Sequence, residues 1–230
     1  NFIEYYLEEK YNSKNPFWSD QGRKKMIKFS KKNKLVNYSA CFNFIIEHPI
    51  ITKEGEKFVK KAIEISKKIK IKKLILPFEG ESELNENNLK IISNKLKLFG
   101  DFLAKDQKLL LETSLPKNLI IKLLKLINKK NIGICYDIGN RRIIKNFTYN
   151  EIVNLSKYIF HIHLKDKNLK GKNIAIGKEN VNFNIFFFLL RKINYKFNFT
   201  IESVKGQNIE RISKKNLNYF FSLINKKLKN

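Results

Sequence analysis

Short runs rich in Ile, Leu, Val, Phe and Tyr alternate along the chain with longer lysine-rich stretches. In the longer stretches apolar residues recur every three or four positions. The short runs suit strands covered on both faces, and the longer ones suit helices that bury a single stripe. Strands are expected at residues 2–7, 35–44, 73–78, 108–112, 132–137, 159–164 and 197–202. Between them, helices are expected at 55–69 (Phe58, Ala62, Ile65, Ile69) and 87–103 (Leu89, Ile92, Leu96, Phe99, Leu103). Gly100 weakens the last turn of the second of these. A further helix has Pro116 in its first turn, where a missing N–H costs nothing, and continues through Leu119, Leu123 and Ile127. Two more follow at 182–193 and 208–228.

Regular βα alternation implies a parallel sheet, here closed into a (β/α)8 TIM-type barrel. The alternation has no linker or low-complexity break, so residues 1–230 are expected to form a single domain. Seven strands instead of eight, and a chain that opens on Asn1 directly in a strand, suggest a barrel lacking its first βα unit.

Hydrophobic residues make up 43% of the 230 positions, enough for a large core. No uninterrupted apolar run approaches the roughly 18 residues of a membrane span; the longest candidate, 183–190, is interrupted by Asn184. The start of the chain shows no signal-peptide pattern. Cys41 and Cys135 form no CxxC unit, which points to a reducing, cytoplasmic setting.

The formal charge of +26 comes from 47 basic against 21 acidic residues. Only Arg23, Arg141, Arg142, Arg191 and Arg211 are arginines, and the lysines are spread along the whole chain. This distribution reads as a solvated lysine-rich surface. Nucleic-acid sites favour clustered arginine with exposed aromatics, so nucleic acid is not the expected partner. The positive field would still attract an anionic sugar phosphate.

Barrel chemistry sits at the C-terminal ends of strands. Four successive strands end in a residue able to bind metal: Glu112 in LLLET, Asp137 in IGICYD, His163 in FHIHLKD and Glu202 in FTIES. Each has a bland reading as a cap, a loop residue or a structural histidine. Together, three carboxylates and an imidazole suit one Mn²⁺, Mg²⁺, Co²⁺ or Zn²⁺ ion.

LETSLP, YDIGN, HIHLKD and the stretch IGKENVNFNIFFFLLRKINYKFNFTIES, with LILPFEGES before them, resemble the sugar phosphate isomerase/epimerase group of the xylose-isomerase-like superfamily. The likeness covers roughly residues 35–203. It implies that Glu112, Asp137, His163 and Glu202 hold one divalent cation. It further implies that Glu112 and Glu202 face the substrate carbon from opposite sides as acid and base, moving a proton beside a carbonyl through an enediolate. Return of the proton to the same carbon is epimerisation, and return to its neighbour is isomerisation. Relatives often carry His where Asn140 stands; Asn hydrogen-bonds a hydroxyl but does not titrate.

Four further residues are candidates for substrate binding: Asn140, Lys165, Glu79 and His161. His161 shares a strand face with His163 and also reads as packing one layer deeper. Glu79 also reads as the opening of a loop. Lys165, Arg141 and Arg142 could hold a phosphate. The expected partner is a small sugar or sugar phosphate, and self-association is left open. Three histidines are too few for a multi-metal nuclease of the same superfamily. Two alternatives remain: a polyol dehydratase or lyase on the same metal site, and a catalytically silent barrel that acts as a binding protein.

Overall fold

The computed structural model describes residues 2–10, 12–178, 180–202 and 208–225. It divides into two compact units, Asn1–Cys135 and Tyr136–Asn230.

In the first unit, strands β1 (Phe2–Leu7), β2 (Val36–Phe42), β3 (Lys73–Phe78), β4 (Lys108–Thr113) and β5 (Ile132–Asp137, whose last two residues belong to the second unit) follow one another in parallel. Helices α1 (Asp20–Lys32), α2 (Lys53–Lys68), α3 (Leu89–Phe102) and α4 (Lys117–Ile127) lie between them. Every residue of β3 and β5 is buried, which explains their unbroken apolar runs. Local sequence sets the helix ends. Thr52 Oγ1 accepts the Gly55 N–H at 3.0 Å to start α2. Asn128 takes a left-handed conformation, φ 49°, to end α4.

Two expectations are corrected here, and one helix is added. The β2 run stops at Phe42, because Asn43–Ile46 turns into a buried 3₁₀ helix. Pro116 is the N-cap of α4 and lies just outside its first turn. Helix α1 lies outside the elements read from the sequence, because its buried positions are Gly22, Arg23, Met26 and Ser30 and form no apolar stripe.

In the second unit, β6 (Ile159–Leu164) pairs in parallel with a short strand at Phe199–Ile201. This strand is shorter than expected and leaves Glu202 just beyond its end. Between them, β7 (Asp166–Lys167) and β8 (Asn173–Ile174) form a small antiparallel pair, so the strand at Phe199–Ile201 is β9. Two short helices, α5 (Ile138–Arg142) and α6 (Glu151–Leu155), precede β6; α7 (Phe183–Lys192) precedes β9 and α8 (Ile209–Asn225) follows it. The last expected helix was read to residue 228; positions 226–228 lie outside the described residues. Phenylalanines supply the core: Phe183 meets Phe220 edge-on at 5.1 Å, and Phe187 tilts against Phe199 at 5.7 Å.

Candidate functional site

Strand register places the chemistry of the second unit. In the β6–β9 pair, His163 lies opposite Thr200 and Leu164 opposite Ile201. The Glu202 N–H then donates to the Leu164 carbonyl at 3.0 Å, carrying the carboxylate one step past the ladder. Glu202 therefore stands beside His163, with His163 Nδ1 2.7 Å from Glu202 Oε1. Asp137, the last residue of β5, caps α5 by accepting the Asn140 N–H on Oδ1 at 2.7 Å. Its Oδ2 lies 3.9 Å from His163 Nδ1. Asp137 and His163 are buried, and Glu202 is partly so.

Lys165 completes the cluster. Its ammonium is 2.7 Å from Asp137 Oδ2 and donates to Glu202 Oε2 at 2.9 Å. Burial pushes the Glu202 carboxyl up, but the charge and hydrogen bond of His163, then those of Lys165, overcome burial and bring it down to about 2. At neutral pH Glu202 is therefore ionised, and its oxygens accept hydrogen bonds or ligate a cation. Asp137, His163 and Glu202 each offer a ligand atom within 4.8 Å of the other two. Two carboxylate oxygens and an imidazole nitrogen fit a Zn²⁺, Mn²⁺, Mg²⁺ or Co²⁺ ion by chemistry and proximity.

The other sequence candidates fall as follows. His161 is fully buried; its Nε2 is 2.8 Å from Thr200 Oγ1, and its ring meets that of His163 edge-on at 5.5 Å. Asn140 sits in α5, beside the site through its backbone bond to Asp137. Glu112 and Glu79 belong to the first unit. Glu112 is the penultimate residue of β4, opposite Pro77 of β3, and Glu79 is exposed just after β3.

Two of the cations considered for phosphate have other duties. Arg141 is buried in a two-pronged pair with Glu151, Nε to Oε1 at 2.8 Å and Nη2 to Oε2 at 2.7 Å. Arg142 Nε donates to the Asn180 carbonyl, and its guanidinium lies over the Phe147 ring.

Three contributors were missed from sequence. A Cβ on Gly139 would lie 2.6 Å from Lys165 Cγ, so glycine is what lets the lysine stem pass. Thr200 stands two residues before Glu202, a period-two signal that could have exposed its link to the histidines. Asp166, buried directly after Lys165, accepts the backbone N–H groups of Gly177, Lys178 and Val181 at 3.1–3.3 Å and ties down the following loop.

Residues 1–223 match the xylose isomerase-like TIM barrel family. The chain belongs to that family. Similar solved structures include D-psicose 3-epimerase crystallised in the presence of D-fructose, with a TM-score of 0.74, 13% identity and coverage of 98% of this chain and 89% of that one. The IolI protein with a bound zinc atom gives a TM-score of 0.71 at 12% identity, covering 92% of this chain and 84% of that one. At these identities the likeness is one of fold. Among curated proteins, the uncharacterized protein MJ1311 of Methanocaldococcus jannaschii is 28% identical over 114 residues, 47% of this chain and 38% of that relative. The matched segment thus spans well under half the length of that relative. Among the described residues, no helix is long and apolar enough to cross a membrane.

Proposed function

We propose that the chain is a divalent-metal-dependent isomerase or epimerase of a sugar or sugar phosphate that moves a proton beside a carbonyl through an enediolate. The observation that carries this reading is the meeting of Asp137, His163 and Glu202 within 4.8 Å of one another at strand ends. Support comes from the fold likeness to a D-psicose 3-epimerase and to a protein solved with zinc.

When bound, the cation supplies Lewis acidity to the substrate carbonyl and hydroxyl oxygens. Asp137 and His163 act as ligands. Glu202, ionised at neutral pH, is both a ligand and one of the two proton-transfer groups. The LLLET motif nominates Glu112 as the fourth ligand and as the second carboxylate, serving the opposite face of the substrate carbon. Asn140 and Lys165 orient substrate oxygens as donors, with His161 and Glu79 as outer contributors. Cys41 and Cys135 are buried and not joined in a disulfide, which suits a reducing, cytoplasmic setting.

The test is conversion of a panel of ketoses and ketose phosphates by protein loaded in turn with each of the four cations. At least one ketose should be interconverted with its epimer or aldose isomer, and Glu202→Gln should abolish this while leaving the fold intact. Failure of every cation with every sugar would reject the proposal.

A further inference from the structure

All four carboxylate oxygens of Asp137 and Glu202 have a hydrogen-bond or ion-pair partner. Asp137 Oδ1 takes the Asn140 N–H at 2.7 Å, and Glu202 Oε1 faces His163 Nδ1 at 2.7 Å. The remaining two oxygens, Asp137 Oδ2 and Glu202 Oε2, both go to the Lys165 ammonium, at 2.7 and 2.9 Å. Two carboxylates this close, one of them fully buried, need a positive charge between them. Lys165 bridges the two from within the chain, and His163 adds its own contact to Glu202.

The seat for its stem is built. Lys165 is itself buried, and Gly139 of the YDIGN motif passes so close that any side chain there would collide with Lys165 Cγ and the Lys165 carbonyl, at 2.6 and 2.9 Å. Immediately downstream, Asp166 is fixed by the backbone N–H groups of Gly177, Lys178 and Val181. The lysine backbone is thus held on both sides, while four rotatable bonds leave the ammonium able to move.

Given the metal reading above, on which this inference rests, we infer that Lys165 is the resident counter-cation of the site. Its ammonium bridges Asp137 and Glu202 and holds the two carboxylates in place. A dication taking the same two carboxylates lies within a few ångströms of that ammonium, and the two positive charges repel. Lys165 therefore gives way as the ion enters and becomes a donor to substrate oxygens. Metal entry and exposure of the lysine are one exchange event.

The experiment pairs calorimetry with NMR of the full chain, using Zn²⁺ and Mg²⁺ as diamagnetic probes. Without metal, the Lys165 ¹⁵N-ammonium resonance should be visible, because burial and ion pairing slow its exchange with water; Lys165→Met identifies it by its loss. Zn²⁺ should shift or erase that resonance, and acylation of Lys165 by a small reagent, read by mass spectrometry, should increase on loading. Lys165→Met should bind Zn²⁺ roughly tenfold tighter or more, since a competing charge has gone. Lys165→Arg, whose fork grips two carboxylates at once, should bind it more weakly than the parent chain. If Lys165→Met does not fold, Lys165→Gln and the parent-chain resonance decide the matter.

Equal Zn²⁺ affinity in the parent chain and Lys165→Met, with an unmoved Lys165 resonance, overturns the inference and leaves the metal reading standing. Binding by Lys165→Met alone supports the inference, with the lysine as a stronger competitor. Binding by neither overturns both.

Discussion

His163 Nδ1 and Glu202 Oε1 lie 2.7 Å apart because His163 and Thr200 are partners in the β6–β9 ladder and Glu202 follows two residues after Thr200. The contact is a product of register; a one-residue slip of β9 would turn the carboxylate to the opposite face. If both side chains are metal ligands, removing either leaves an incomplete set. His163→Ala and Glu202→Gln should each weaken Zn²⁺ or Mn²⁺ binding by about tenfold or more in calorimetry. Unchanged affinity in both would remove the metal from the account.

The Arg141–Glu151 pair is buried and two-pronged, and Tyr136 adds a hydroxyl to Glu151 Oε1 at 3.1 Å. Its role is to tie α5, which carries Asn140, to α6. Breaking such a pair strands a charge, so Glu151→Gln should cost roughly 3–5 kcal/mol in denaturant unfolding. The double variant Arg141→Met, Glu151→Leu should recover much of that loss. A single variant within about 0.5 kcal/mol of the parent chain would mean that water reaches the pair.

Lys73, at the start of β3, is brought down from 10.5 to about 8, by burial first and then by the charges of Lys108 and Lys72. Between those two values the unfolded chain binds the proton and the folded chain does not. Stability should therefore rise as pH increases from about 8 to 10.5, and below 8 the folded state carries the full burden of a buried charge. Lys73→Met should flatten that segment of the stability–pH curve and stabilise the chain at pH 7. Identical slopes in the two proteins would show that other groups govern the region.

Much of this was legible in the sequence because burial on both faces leaves an unmistakable run. Residues 73–78, 132–137 and 159–164 are strands with the expected bounds. Reading failed where apolarity continued past the ladder, as at Asn43–Ile46, where Phe44 and Ile45 are buried in a turn. It failed again in α1, which buries Gly22 and the Arg23 stem in place of an apolar stripe. Of the candidate site, Asp137, His163 and Glu202 could be read because they stand in order at strand ends or just past them. The close pass of Gly139 against Lys165 could not, since it depends on how α5 approaches the segment after β6, and no local pattern encodes that distance.

Solvent hydrogen exchange reads proton transfer beside a carbonyl most directly. Metal-loaded protein is incubated in D₂O with the ketose and ketose-phosphate panel, and deuterium at the carbon next to the carbonyl is followed by NMR. Incorporation into at least one sugar is expected, even before product accumulates. In Glu202→Gln and in Glu112→Gln incorporation should be lost while much of the sugar affinity survives, because a proton-transfer group acts mainly on the transition state. No deuterium in any sugar, with cation demonstrably bound, would rule out isomerase and epimerase chemistry and leave a lyase or a silent barrel in its place.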